Sequence, residues 1–229
     1  MSFDFQGGEV LLFDKPSGWS SFDLVKKVRN LIRRATGVKK LKVGHAGTLD
    51  PVATGLMILC TGKATKQISS FQNLDKSYLA ELEFGKTTPS FDTETEVDKT
   101  YLVNHITREK VLKVLSDFAG TREQIPPAYS AKNIGGERAY KLARRGEKVS
   151  LKPQIITITK LELIHFDLPY CSLRVDCSKG TYVRSLIRDI GYELESGACM
   201  TRLIRTRIGP YQLSDAWTIE KFEKMLHEL

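Results

Sequence analysis

The chain has 229 residues, 41% of them hydrophobic, and carries 35 Lys and Arg against 27 Asp and Glu, a net charge of +8. A chain of this length buries about 70% of the surface its unfolded form exposes, so a packed core needs no disulfide or metal staple. No apolar run approaches the ~20 residues of a membrane span, and the first residues, MSFDFQGGEV, lack the basic start and apolar stretch of a secretory signal, so a cytoplasmic protein with no membrane attachment is expected. The basic excess suits a polyanionic partner without identifying one. Cys60, Cys171, Cys177 and Cys199 form no CxxC pair and the four histidines are scattered, so no zinc ligand set is evident and packed, reduced thiols are expected.

In chain order, the apolar residues 10–13 read as a short strand. A turn at Pro16 and Gly18 follows, then a helix opened by Ser20 or Ser21, in which Phe22, Val25, Val28 and Ile32 recur at helical spacing. Residues 56–60 are an unbroken apolar run, the pattern of a strand buried on both faces. Tyr78, Ala80, Leu82 and Phe84 alternate with Leu79, Glu81 and Glu83, which predicts a half-solvated strand with Tyr78 on its apolar face. Residues 87–99, with Asp92, Glu94, Glu96 and Asp98, predict a polar surface connection, and Thr107 then caps a helix carrying Val111, Leu115 and Phe118. Cys171, Leu173, Val175 and Cys177 alternate with polar residues in a strand that runs into the SKGT turn. A helix over 183–196 follows, with Val183, Ile187, Ile190 and Leu194 in one stripe and Gly197 as its stop. Residues 218–229 carry Ile219, Phe222 and Leu226 and read as a terminal helix. Strands occur both in succession and between helices, with no repeat and no Pro/Ser-rich linker, so a single mixed α+β domain over residues 1–229 is expected.

The segment most informative for chemistry is residues 44–56, GHAGTLDPVATGL. Its glycines permit close backbone approach, while Pro51 fixes its own φ and pushes Asp50 toward an extended conformation. The Asp50 carboxylate would thus sit on a stiff turn with His45 and Thr48 as polar neighbours, able to meet a flat ligand such as a nucleotide. An ordinary Gly/Pro-rich turn with an Asx-type hydrogen bond has the same local composition, so this loop alone leaves both readings open.

The complete string resembles the catalytic-loop motif of pseudouridine synthases of the TruB type, which isomerise a uridine in the T arm of tRNA. KPSGWSS over 15–21, KSY ending at Tyr78, IPPAYSA over 125–131 and CSKGTYVRSLIRDIG over 177–191 also resemble that family, in its order, so the likeness spans about residues 9–216. It implies the pseudouridine synthase fold, a mixed and mainly antiparallel central sheet flanked by helices, with a basic RNA-clamping insertion at about 125–152. It implies no metal and no cofactor. Bacterial members usually continue into a small PUA domain that adds RNA contacts. The expectation here is a catalytic domain without one, a monomer needing no protein partner, with weaker tRNA affinity than longer relatives.

Converting uridine into its C-glycoside isomer requires breaking the N1–C1′ bond, turning the uracil and rejoining it through C5. The resemblance makes Asp50 the essential group, whether it adds to the sugar, adds to the base or assists formation of a glycal. Each route needs Asp50 ionised, and exclusion of water disfavours the charged form, so a nearby cation is required. Arg184, in TYVRS, matches the family arginine that pairs with the aspartate. Tyr78 matches the tyrosine that stacks on the flipped base and has been proposed to move a proton at C5. Tyr182 and Leu203 match pocket-lining positions, Lys15 matches a basic residue that buttresses the site, and His45 matches a histidine that helps hold the flipped arrangement.

Extruding the base costs a few kcal/mol of unstacking, which RNA contacts must offset. The expected grip is the basic run Lys132, Arg138, Lys141, Arg144, Arg145, Lys148 and Lys152, opposed only by Glu137 and Glu147. A charge run of this kind is often simply a solvated helix face. Two positions depart from the family pattern: Lys132 then Asn133 stand where an apolar residue and lysine are common, and Gln154 where an arginine is usual. Ala46 also replaces a frequent threonine. Two other readings remain at this point: an RNA-guided synthase resembling dyskerin, and an RNA-binding folding helper whose chemistry is secondary.

Overall fold

The computed structural model describes residues 3–228. Eight strands carry the architecture: β1 (Val10–Lys15), β2 (Val43–His45), β3 (Thr54–Thr61), β4 (Lys76–Phe84), β5 (Gly120–Gln124), β6 (Gln154–Asp167), β7 (Tyr170–Cys177) and β8 (Ala198–Ile208). Among the described residues there are six α-helices, the short Ile68–Gln72 and five labelled here: α1 (Ser21–Thr36), α2 (Arg108–Phe118), α3 (Ala139–Arg144), α4 (Val183–Glu193) and α5 (Ile219–His227). The chain divides into two compact units, one made of the residues up to Tyr78 together with those from Leu203 onward, the other of Leu79–Arg202. The boundaries fall inside β4 and β8, so both strands contribute to each unit.

In the first unit, β1 and β2 each pair antiparallel with β3, and β8 runs parallel to β3 with Ile204 opposite Thr54 and Arg205 opposite Gly55. Seven of the eight β3 residues are buried, as the unbroken apolar run predicts. Ser20 opens α1 with a capping box: its hydroxyl accepts from the Asp23 amide while the Asp23 carboxylate accepts from the Ser20 amide. Such a cap contributes about 1 kcal/mol. Leu24, Val25, Val28, Leu31 and Ile32 are buried on one face of α1, which packs on α5. Phe222 of α5 is fully buried and meets Phe13 edge-on at 4.9 Å. Burying such a side chain stabilises by about 1.5–3 kcal/mol, which fastens the terminal helix to the β1 side of the sheet.

In the second unit, β6 lies between β5 and β7, antiparallel to both, with register shifts along the β6–β7 pair. Thr107 caps α2 as expected, and Val111, Leu115 and Phe118 are buried. The alternation from Tyr78 to Phe84 also holds, with Ala80, Leu82 and Phe84 buried and Leu79 exposed. Two expectations need correction. Residues 87–99 are not merely a surface connection, since Thr87, Thr88, Ser90 and Asp92 are buried, the last held by partners described below. The helix from Val183 ends at Glu193, before Gly197, because the Ser196 and Gly197 amides turn back onto the Gly191 carbonyl at 3.0 Å each. Gly197 itself sits at φ +58, and a Cβ there would lie 2.7 Å from the Tyr101 ring, so glycine serves the turn and the packing together.

A pinned carboxylate loop and a buried arginine as candidate active-site elements

Asp50 lies in the connection from β2 to β3, and the backbone around it is held from several directions. Ser21, at the start of α1, donates its hydroxyl to the Leu49 carbonyl at 3.0 Å and accepts from the Leu49 amide at 2.9 Å. The Pro51 carbonyl accepts from the Gly18 amide at 2.9 Å and from Lys15 Nζ at 3.4 Å. Asp50's own carbonyl closes a turn with the Ala53 amide at 3.1 Å. Both neighbours of Asp50 are therefore fixed by residues of the KPSGWSS segment, so that motif and the catalytic-loop motif form one structure.

Arg205 on β8 completes the cradle and was not singled out from the sequence. It is 1% exposed, and its guanidinium donates to the carbonyls of Leu56 at 2.7 Å, Gly47 at 3.1 Å and Thr48 at 3.5 Å. Gly55 permits the approach: at φ +102 its Cβ would fall 2.4 Å from the Arg205 carbonyl. Burial pushes the guanidinium down from its ordinary value, while the Tyr78 hydroxyl opposes this by charge and a hydrogen bond. Arg205 thus links the loop to Tyr78. Tyr78 is 8% exposed on β4, and Ser77 beside it accepts from Arg207 Nε at 2.9 Å and from the Thr206 hydroxyl at 3.2 Å. A signal for Arg205 was present, because it follows Leu203 at the strand period of two on the inward face.

Lys15 is fully buried at the end of β1, donating to the carbonyls of Trp19 at 2.6 Å and Pro16 at 3.0 Å as well as Pro51. Desolvation pushes its pKa down to about 8, against the attraction of the Asp50 carboxylate and with the repulsion of Arg205. His45, in β2, is half-buried and held below its ordinary value first by burial and then by the Arg205 charge, with a backbone hydrogen bond to Gly47 opposing. Leu203 is buried in β8.

In the second unit, Arg184 occupies the first turn of α4 and is 3% exposed. It donates to the Ser90 and Tyr129 carbonyls at 2.9 Å each and lies 3.5 Å from the Asp92 carboxylate. Asp92, fully buried, also accepts from the Ser90 hydroxyl at 2.6 Å and the Glu94 amide at 3.0 Å. Both of those bonds fall on Oδ1, and the Arg184 guanidinium beside Oδ2 balances the buried charge. Tyr182 precedes α4 and exchanges two backbone hydrogen bonds with the Gln124 side chain, at 2.8 and 3.0 Å.

Within the expected RNA clamp, Glu137 and Arg138 form a short hairpin strand leading into α3. Arg138, Lys141, Arg144, Arg145, Lys148 and Lys152 are exposed. Arg145 is paired with Glu137 at 2.6 Å and Glu147 at 2.7 Å, and Arg144 with Glu94. Lys132 donates to Gln154 at 2.7 Å, so the two departures from the family pattern are partners of each other. Among the described residues, no group of three or more His, Cys, Asp or Glu could hold a metal ion, and no helix is long and apolar enough to cross a membrane.

A mixed sheet flanked by helices is the α+β architecture of the pseudouridine synthases. The family model "TruB family pseudouridylate synthase (N terminal domain)" matches residues 33–183, and "tRNA pseudouridylate synthase B C-terminal domain" matches residues 184–228. The chain belongs to the TruB family of pseudouridine synthases. It is 56% identical to a tRNA pseudouridine synthase B of Phocaeicola vulgatus over 98% of this chain and 96% of that one. Identity is 45% to a protein of the same name from Flavobacterium johnsoniae, over 97% and 98% of the two chains. Among solved structures, a chain of a Cbf5-Nop10-Gar1 complex superposes with a TM-score of 0.73 at 25% identity, over 96% of this chain and 54% of that one.

Proposed function

We propose that the protein is a tRNA pseudouridine synthase that isomerises uridine 55 in the T loop. The observation that carries this reading is Asp50, supported on both sides by Ser21, Pro51 and Arg205 contacts within a chain of this family. The reaction conserves atoms: the N1–C1′ bond breaks, a C5–C1′ bond forms, and the proton on C5 is exchanged for one on N1. No electron acceptor or donor is consumed. Asp50 serves as the anion at the sugar or base, and a loop with its carbonyls already engaged holds it in place without reorganisation during reaction.

Tyr78 supplies the face against which the extruded base stacks, and Arg205 at its hydroxyl holds the ring's outer edge. Arg184 is assigned as the aspartate's charge partner and Tyr182 to the pocket lining on the motif that carries both, and Leu203 to the pocket lining on its matching position. His45, Lys132, Arg138, Lys141, Arg144 and Arg145 are assigned to RNA binding, and Lys15 to support of the loop. The substrate is tRNA, and the purified chain acts on it alone.

The test is to incubate purified protein with an unmodified tRNA transcript and map pseudouridine at single-nucleotide resolution. One new pseudouridine at position 55, with no guide RNA or second protein, is the expected result. No product on bare transcript would favour a guided enzyme or a binding protein.

A further inference from the structure

The whole net charge of the chain is concentrated in one segment. Residues 26–42, KKVRNLIRRATGVKKLK, hold eight Lys and Arg and no Asp or Glu, and the remainder of the chain has 27 of each sign. On α1 these cations lie opposite the packed face: Lys26, Arg29 and Arg33 succeed each other at helical steps, flanked by Lys27 and Arg34. Lys39, Lys40 and Lys42 are exposed in the connection to β2. Lys27 approaches Glu223 at 3.7 Å; among the described residues, none of the other seven has a carboxylate within 4.0 Å. Like charges left uncompensated repel one another, and that cost is relieved when a polyanion binds.

The contrast with the expected clamp is instructive. There Arg144 and Arg145 spend their charge on three glutamates, and Lys132 is engaged with Gln154. The α1 face also has a place for a base. An open hollow of about 460 Å³ beside the stripe is lined by Trp19, Asp23, Lys26, Lys27 and Asn30. Asp23 is occupied by its capping contacts to Ser20. An aromatic ring next to two ammonium groups matches the stacking-plus-phosphate chemistry of nucleic-acid binding. From Lys26 to Arg33 the stripe extends about 10 Å, enough to follow several phosphates of an RNA arm.

We infer that the exposed face of α1, continued by residues 37–42, binds the sugar–phosphate backbone of the tRNA at a segment other than the one carrying the target base. The packed face of α1 is the one that grips the catalytic loop, through Ser21 and Leu49, so the basic stripe points away from that contact. The inference rests on tRNA being the substrate. It adds affinity and leaves the conversion of bound RNA unchanged.

The test uses two triple variants of the full chain, Lys26→Ala/Arg29→Ala/Arg33→Ala on the helix and Lys39→Ala/Lys40→Ala/Lys42→Ala beyond it. Unfolding midpoints confirm that each is folded. Binding to whole unmodified tRNA and to an isolated T-arm hairpin is measured across salt, and conversion is followed at saturating protein. Each variant is expected to bind whole tRNA at least about tenfold more weakly at moderate salt, with the log–log salt slope reduced by about 0.9 per lost phosphate contact. Hairpin affinity and the saturating rate should match the unsubstituted protein. Unchanged tRNA affinity and slope in both variants would overturn the inference, as would equal losses for hairpin and whole tRNA, or a fall in the saturating rate. If the unsubstituted protein makes no pseudouridine yet shows this selective loss, it is the catalytic reading that fails.

Discussion

Arg205 Nη2 donates to the Gly47 carbonyl at 3.1 Å, so a guanidinium buried in one strand fixes the loop that presents Asp50. The same group reaches Leu56, at the start of the apolar run of β3, and the Tyr78 hydroxyl on β4. One buried cation therefore ties the Asp50 loop to the Tyr78 ring.

Substituting Arg205→Met removes donors from three carbonyls at once. Relief from burying a charge offsets part of that loss, so the net destabilisation should be about 2 kcal/mol. Activity should fall further than stability, by about a hundredfold in kcat, because a small displacement of a reacting group is costly. Arg205→Lys keeps the charge without the planar fork and should lie between the two. Urea unfolding and single-turnover rates measured together separate the effects.

Ser21→Ala deletes both hydrogen bonds that hold Leu49. With a buried amide and carbonyl left unmet, stability should drop by about 2 kcal/mol. The turnover rate should fall while tRNA affinity stays near that of the unsubstituted protein, since no RNA-binding cation is altered. A normal rate would show that the α1 contact does not position Asp50.

Lys15 gives a pH signature. Its pKa is pushed down to about 8, from an ordinary value of 10.5, so between these limits the unfolded chain binds more protons than the folded one. Stability contributed through Lys15 therefore rises with pH across that window, and the gain should vanish in Lys15→Met. Activity should move the other way. Above pH 8 the ammonium charge near Asp50 is lost, and the single-turnover rate should fall with an alkaline limb near pH 8. In Lys15→Met that limb should be absent and the rate at pH 7 already reduced.

Much of this arrangement was legible in the sequence. Alternation placed Tyr78 on the apolar side of its strand, the unbroken run 56–60 read as a buried strand, and the Ser20/Ser21 pair, of which Ser20 is the cap, and Thr107 marked helix starts by their capping chemistry. Asp50 stood out through the residues around it. Asp92 and Arg205 did not, because a polar residue's burial depends on partners distant in sequence: Asp92 is kept inside by Arg184, and Arg205 by carbonyls about 150 residues away. The charge run at 125–152 was legible as composition, but pairing with Glu94, Glu137 and Glu147 is a property of the fold. The end of α4 was placed at 196, three residues too far, because the positive-φ Gly197 lies in the turn that follows the helix and not directly at its end.

The central claim is that Asp50 performs the chemistry on a loop whose geometry the surrounding residues maintain. Asp50→Asn preserves the size of the side chain and removes its charge. Unmodified tRNA should be incubated with this variant in excess over RNA, with pseudouridine at position 55 and tRNA binding measured in the same samples. The account predicts no pseudouridine over many turnover times of the unsubstituted enzyme, with binding within a few-fold. Pseudouridine formed by the variant at a comparable rate would contradict it.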